Sequence, residues 1–586
     1  MKQDLAWTPM RRFQQKLIQA AVATSLIAAL TPALAQKPQT DGTPWWRHAV
    51  FYEIYPRSFA DSNNDGLGDL KGITSKLDYL HQLGVDAIWI SPCYPSPQFD
   101  FGYDVADYEN IDPMYGTLAD FDELTREAHR RGIRVIMDFV VNHSSNAHPW
   151  FIESKSSRTS AKRDWYIWRD GKAAGQPPNN WESDFGGSAW TLDPTTGQYY
   201  YHYFEVQQPD LNWRNPAVER AMFDVTRFWH KHGVDGFRLD AVDTLFEDPK
   251  LKDNPTLPGK NEFGDPQMKN VNNDKLPEVH EELRRLRKVT DENKQVLIGE
   301  TWTESIDELK AYYGAHNDEV QMPMDFMFAT VNKLSAPEFR RQIGLAESAG
   351  WPVFVLSNHD IPRAYTRYGD GIHNEQIAKL MAGMMLTLRG TPILYYGEEL
   401  GMATHPPERK EDVKDPLGIS GWPQQKGRDG ERRPMQWSAE TNAGFTHGQP
   451  WLPVDADFKQ HNAATESNNP QSLLSFYRAL LALRHTNPAL LDGEYVPLAE
   501  NDANVLAYLR QTKAETIAVV LNFSAEAQEF VPNWKALGID SATLKVLLTT
   551  SEEGTADQAK TGIVRLAPYS VVILRADAKG GEAKQK

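Results

Sequence analysis

Short runs of β-branched, aromatic and aliphatic residues recur at 50–59, 87–94, 134–141, 234–242, 296–301, 351–360 and 391–398, with a weaker one at 324–328. Runs this short and this uniformly apolar fit strands buried on both faces. Between them, at 118–131, 216–232, 276–293 and 377–388, apolar residues return every three or four positions, as amphipathic helices require. Eight strands alternating with helices predict an α/β fold, a parallel (β/α)8 TIM barrel rather than an antiparallel sandwich. The third and fourth runs begin about 100 residues apart, far more than a loop in such a barrel needs. The excess is rich in Trp, Tyr, Gly and Pro and predicts a subdomain inserted at 145–208, with the barrel formed by 36–144 and 209–494. From 495 the rhythm changes to alternation without long helices, at 505–509, 516–521, 542–548 and 570–574. That pattern predicts a C-terminal antiparallel β-sandwich domain over 495–576, and the charged 577–586 reads as a flexible tail.

The first 35 residues break the pattern. Arg11, Arg12 and Lys16 precede an apolar stretch that ends Ala33-Leu34-Ala35, the layout of a secretory signal cleaved after Ala35. The stretch is interrupted by Gln19, Thr24 and Ser25, too short and too polar to span a bilayer. Export to the periplasm or the medium is the expectation. Composition sharpens this. Of 586 residues 40% are apolar, ample for buried cores. Lys and Arg number 62 against 79 Asp and Glu, a net charge of −17, which excludes the basic footprint of a nucleic-acid binder. One cysteine, Cys93, excludes an intrachain disulfide and a thiolate metal cluster. It sits in an apolar run and reads as an inert buried thiol.

In a (β/α)8 barrel the reactive groups come from the C-terminal ends of strands and the loops after them. Here the third run ends Asp138-Phe139-Val140-Val141-Asn142-His143, the fourth Gly236-Phe237-Arg238-Leu239-Asp240-Ala241, the fifth Gly299-Glu300-Thr301 and the seventh Ser357-Asn358-His359-Asp360. Every one of these ends carries a carboxylate. Period-two geometry puts Arg238 and Asp240 on one side of their strand, which should face the barrel axis. An arginine so placed would hold the carboxylate ionised. Carboxylates with an arginine and two histidines able to act neutral suit cleavage through a cationic transition state, as in glycoside hydrolysis.

The set Asp138-x-x-x-Asn142-His143, Gly236-Phe237-Arg238-x-Asp240, Glu300 and Asn358-His359-Asp360 resembles the signature regions of the α-amylase family, family 13 of the glycoside hydrolases. The resemblance runs in order from about Trp45 to the end of the chain. It implies that Asp240 is the nucleophile, Glu300 the acid/base and Asp360 a third carboxylate that stabilises the distorted sugar. It also implies that His143 and His359 bind that sugar, that Arg238 partners the nucleophile and that Asp138 orients the site. A retaining pair of this kind stands about 5–5.5 Å apart.

Further segments resemble the exo-acting α-glucosidase and oligo-1,6-glucosidase branch. Gln208-Pro209-Asp210-Leu211-Asn212-Trp213 matches that branch's extra signature. Phe101-Gly102-Tyr103-Asp104 matches a loop whose Tyr stacks on the terminal glucose and whose Asp binds its outer hydroxyls. Arg432-Arg433-Pro434-Met435-Gln436-Trp437 resembles a segment whose first arginine pairs with that Asp and closes the pocket, with Arg433 standing where Thr is more usual. Ala241, small and directly after the nucleophile, resembles α-1,4-preferring enzymes. The expectation is an exo-acting, retaining α-glucosidase that takes glucose from maltose and short α-gluco-oligosaccharides. An oligo-1,6-glucosidase or a transglucosylase using the same covalent intermediate, an endo-amylase and an inactive carbohydrate- or partner-binding relative are the alternatives. The Arg-Leu-Asp-Arg-Asp type run of sucrose isomerases is absent.

The loop Asp61-Ser62-Asn63-Asn64-Asp65-Gly66-Leu67-Gly68-Asp69 has acidic or amide oxygens at alternate positions. Asp61, Asn63, Asp65, the Leu67 carbonyl and Asp69 can wrap a hard cation. It is no EF-hand, since position 12 is Gly72. The resemblance implies one structural ion here, Ca2+ with Mg2+ as the alternative. A metal-free Asx turn is the competing reading.

Overall fold

The apolar runs become eight parallel strands, β1 (Phe51–Ile54), β2 (Ala87–Ile90), β3 (Arg134–Val140), β4 (Gly236–Asp240), β5 (Val296–Gly299), β6 (Met322–Pro323), β7 (Val353–Val355) and β8 (Thr391–Tyr395). The computed structural model describes residues 42–172, 175–551 and 560–576, so the readings for 1–35 and 577–586 lie outside the described residues. Hydrogen bonding runs β6-β5-β4-β3-β2-β1-β8-β7, and a parallel bridge from Asp325 to Phe354 joins the two ends into a barrel.

Alternate strand positions separate into two cores. Phe51, Ala87, Trp89, Ile136, Val296, Ile298, Val353, Val355 and Ile393 pack together in the barrel interior. Tyr52, Ile88, Val135, Phe237, Leu297 and Leu394 face outward into the larger core shared with the helices. Each fully buried large side chain contributes about 1.5–3 kcal/mol. The interior parity also holds Glu53, Asp138, Arg238, Asp240 and Glu300, two residues apart from interior neighbours along each strand.

The helices follow their caps. Leu118–Arg130 opens on Thr117, whose hydroxyl accepts from the Asp120 N–H while Asp120 accepts from the Thr117 N–H, a capping box worth about 1 kcal/mol. Pro216–Lys231 opens on Asn215 with proline at its first position and buries Val218, Met222, Val225 and Trp229 along one face.

The weak run at 324–328 is corrected. The sixth strand lies earlier, at Met322–Pro323, and Phe326–Ala329 is a helical turn whose start is capped by the Asp325 carboxylate. Pro323 removes a ladder donor, so the strand stops there. The insertion forms a three-stranded antiparallel sheet of Trp168–Arg169, Gln198–Tyr201 and Trp190–Asp193. Its own core is Trp181, Trp190, Tyr199, Tyr201 and Tyr203. A second, exposed hairpin, Thr256–Lys260 with Pro266–Met268, extends the loop after β4. It has no apolar alternation by which sequence could show it.

At the C-terminus Glu494–Leu498, Val505–Gln511, Thr516–Asn522, Val571–Ala576 and Lys545–Thr549 form an antiparallel sheet, and Gln528–Phe530 pairs with Val564–Leu566. Tyr508 and Arg510 of this sheet bond to Thr387, at the end of a barrel helix. Together the described residues from Pro44 onward make one compact unit.

Candidate active site

Strand register assembles the floor of the site. Arg238 on β4 stands opposite Asp138 on β3 and Ile298 on β5, so Asp240 and Glu300, each two residues further on, rise on the same interior face. Arg238 is fully buried. Its Nη1 donates to Asp138 Oδ1 at 3.0 Å and to Asp240 Oδ1 at 2.6 Å, and its Nη2 lies 2.8 Å from Glu300 Oε2. The Nη2 contact is an ion pair without hydrogen-bond alignment. Glu300 is held further by the Ala241 N–H at 2.7 Å and the Trp302 indole N–H at 3.1 Å. Ala241 adopts a left-handed backbone, φ 47°, which aims that N–H at the acid.

One guanidinium cannot neutralise three carboxylates. Burial pushes Asp240 well above the usual carboxylate range, with Glu300 and Asp138 adding to the rise and Arg238 opposing it. Asp138 is raised for the same first cause. Asp240 and Asp138 are thus both harder to ionise than a free carboxyl, and Arg238 offsets only part of that.

Asp360 is the opposite case. Burial alone would raise it, but His359, Arg428 and Arg432 outweigh that and hold it well below the usual range. Its Oδ1 accepts from Arg428 Nη1 at 2.8 Å and Arg432 Nη2 at 2.9 Å, and His359 Nε2 lies 3.0 Å from its Oδ2. Asp360 stays ionised and serves as a fixed charge.

The two histidines differ. Burial lowers His143 to about 3, so it is neutral, with Nε2 3.1 Å from the Tyr103 carbonyl. His359 departs from the neutral role expected for it. Burial would lower it, yet Asp360 and Glu53 raise it to about 9, and it stacks on Tyr103 with ring centroids 5.3 Å apart.

These groups open into one pocket of about 460 Å³, lined among others by Asp100, Tyr103, His143, Asp240, Glu300, His359, Asp360 and Arg428, within the size range of small-molecule sites. Phe185 and Phe204 from the insertion and Trp302 line it as well. Trp181 and Trp190 belong to the subdomain's own core and Trp168 to the larger core, while Phe185, Tyr203 and Phe204 reach the pocket.

Two assignments are corrected. Asp104 is fully buried in its own loop, where its carboxylate accepts from the Ser96 hydroxyl and the Phe99 and Asp100 N–H groups. It does not meet Arg432, which donates instead to Asp360 and the His359 carbonyl. The carboxylate that reaches the pocket is Asp100, and its partner is Arg428 at 2.8 Å. Both lie a few residues before the positions read from sequence, in loops where spacing carries no period. Asp415, fully buried, grips Arg428 through both carboxylate oxygens, and Gln208 of the insertion donates to Asp100. Arg433 turns away from the site to pair with Asp455. The buried thiol of Cys93 is pushed up to about 12, first by burial, as an inert thiol requires.

The loop after β1 folds as successive Asx turns. Asp61 accepts from the Asn63 and Asn64 N–H groups, Asn63 from Asp65 and Asp65 from Leu67. Asp69 caps the next helix through the Gly72 N–H and also accepts from Ser62. Among the described residues no three His, Cys, Asp or Glu side chains gather as a metal cluster. What the loop offers is a mixed set of carboxylate, amide and carbonyl oxygens with lone pairs to spare, a donor chemistry that fits Ca2+ or Mg2+.

Comparison with known proteins agrees with this geometry. Residues 53–493 match the family model described as alpha amylase, catalytic domain, and 496–573 match the maltogenic amylase C-terminal domain. A probable alpha-glucosidase of Rhizobium meliloti (strain 1021) is 44% identical over 499 residues, 82% of this chain and 90% of the relative. An oligo-1,6-glucosidase of Parageobacillus thermoglucosidasius is 38% identical over 568 residues, 91% of this chain and 99% of the relative. The crystal structure of the alpha-glucosyl transfer enzyme XgtA superposes with a TM-score of 0.83 at 40% identity, covering 91% of this chain and 100% of that one.

The corrected pair yields a direct contrast. Asp100→Asn should raise KM for an aryl α-glucoside by about ten-fold or more, the weight of one charge-assisted bond. Asp104→Asn should lower the melting temperature and leave KM within about two-fold, as a residue outside the pocket does. Equal KM effects would contradict the reassignment.

Proposed function

The chain belongs to the α-amylase family of glycoside hydrolases, and from that premise we propose an exo-acting, retaining α-glucosidase that prefers α-1,4 linkages in short α-glucosides. The observation that carries this is the layout of the pocket: Asp240 and Glu300 share Arg238 at its floor, and the Asp100–Arg428 pair bears on Asp360 beside them. Two carboxyl groups on one guanidinium are held close, as a retaining pair must be. A charged pair at the end of the pocket favours admission of a single terminal glucose. Ala241 lines the pocket directly after Asp240 with only a methyl group, which supports α-1,4 preference.

The reaction then balances as a double displacement. In its protonated form Glu300 gives a proton to the glycosidic oxygen while an ionised Asp240 oxygen attacks the anomeric carbon, and the aglycone leaves as an alcohol. In the second half Glu300 takes a proton from water, whose oxygen displaces Asp240 and releases α-glucose. Asp360, held ionised, stabilises the positive charge that develops on the ring. His143 and His359 are placed to bind sugar hydroxyls.

The test is one panel of maltose, isomaltose, sucrose, trehalose and maltotriose with every product identified. Maltose should be cleaved faster than isomaltose, with α-glucose the first product by NMR. β-Glucose as first product would overturn retention, and cleavage of starch in mid-chain would overturn the exo reading. The likeness to XgtA favours a second reading, in which a sugar rather than water intercepts the intermediate; transfer products outweighing free glucose would select it.

Two readings concern the mature protein: export with removal of 1–35, and a structural Ca2+ held by Asp61, Asn63, Asp65, Leu67 and Asp69, with Mg2+ the alternative. The exported protein should begin at Gln36, and chelation should lower its melting temperature, restored by Ca2+ more than by Mg2+. A start at Met1, or a melting temperature indifferent to chelator, would contradict the respective reading.

A further inference from the structure

Beneath His359 lies a carboxylate that the mechanism above does not use. Glu53, on β1, is fully buried. Its Oε1 stands 2.6 Å from His359 Nδ1, while its Oε2 is buried without a hydrogen-bond partner. The other ring nitrogen, Nε2, lies 3.0 Å from Asp360 Oδ2 and 2.7 Å from the Tyr103 hydroxyl. The Tyr103 hydroxyl has one proton, and it is directed to Asp138 Oδ2 at 3.0 Å, so toward His359 it accepts. Both ring nitrogens thus face acceptors, and a neutral imidazole can donate from only one of them.

We propose that Glu53 is a positioning residue of the pocket, whose carboxylate holds the His359 ring as a donor from both nitrogens so that Nε2–H is presented to Asp360 and to a bound sugar hydroxyl. The inference rests on the glucosidase reading given above. Without the charge on Glu53 the ring would lose its proton more readily. With Nδ1–H still turned to residue 53, Nε2 would then become an acceptor set against the Asp360 carboxylate. Contact with the sugar and the ionic hold on Asp360 would fail together. Other groups facing the ring do not replace Glu53. Tyr55 and Tyr103 stack on it, Trp89 meets it edge-on, and Arg432 binds its carbonyl. Asp138 reaches it through Tyr103. Among the described residues only Glu53 and Asp360 offer it a direct carboxylate, and the rise of His359 to about 9 has Asp360 and Glu53 as its causes against burial. The dependence has a definite sign: a cation raised by its partners is charged through the neutral range and is lost as pH climbs.

The experiment is the pH profile of kcat/KM for an aryl α-glucoside, which reports ionisations of the free enzyme. Glu53→Gln keeps size and an acceptor oxygen but removes the charge. It should match wild type within a few-fold at pH 6, and its alkaline limb should move down by about one unit or more, a loss of about two-fold at pH 8 that approaches about ten-fold at pH 10. In a His359→Gln background the same substitution should leave the limb where it was. A Glu53→Gln profile that superposes on wild type overturns the proposal, as does a displacement that persists without His359. If Glu53→Gln does not fold, Glu53→Asp keeps the charge at a longer reach and should move the limb by a smaller interval; no movement contradicts the proposal. A wild-type protein that leaves the glucoside uncleaved sinks the glucosidase reading instead, a result distinct from any of these.

Discussion

The site is organised around one buried guanidinium. Placing Arg238 inside the barrel, away from water, costs several kcal/mol unless anions surround it, and Asp138, Asp240 and Glu300 do so from three adjacent strands. Each of the four groups has its strand position set by register, so the chemistry of the floor is a direct consequence of how β3, β4 and β5 pair. Burial, with too little cation to offset it, makes Asp138 and Asp240 harder to ionise than free carboxyls. Gly236, below Arg238 on β4, shows how tightly the pairing is drawn: a Cβ there would lie 2.4 Å from the Val296 carbonyl oxygen on the next strand.

Across the pocket the balance is reversed. Asp360 meets two arginines and a cationic histidine and carries fixed negative charge. The same pocket thus holds carboxyls that are harder to ionise than usual and one that is easier. Separating the two is the division of labour that acid–base catalysis at neutral pH requires. The loops that supply the second half are locked to one another. Asp415 fixes Arg428, Arg428 joins Asp100 to Asp360, and Gln208 ties Asp100 to the insertion. The insertion is therefore part of the pocket's construction as well as its wall.

Much of this was legible in the sequence because β-strands impose a period. The seven stronger apolar runs follow from their uniform hydrophobicity, and Arg238 two before Asp240 and Glu300 at a strand end follow from the period of a strand. Met322–Pro323 escaped because two residues are too few to show a period, and the hairpin at Thr256–Lys260 escaped because it is exposed and has no apolar face. Asp100 and Arg428 escaped for a third reason. They sit in loops, where a shift of four residues changes which side chain reaches the pocket and nothing periodic records it. Glu53 was within a strand read correctly, but a single carboxylate in an apolar run gives no sign of the histidine it meets 306 residues later.

The account stands or falls on Asp240 forming a bond to glucose. With Glu300→Gln slowing release, an activated α-glucosyl donor with a good leaving group should load the protein with the mass of one glucosyl residue. Peptide mapping should place that mass on Asp240. Loading on any other residue, or turnover of the donor with no covalent species at any time, would contradict it.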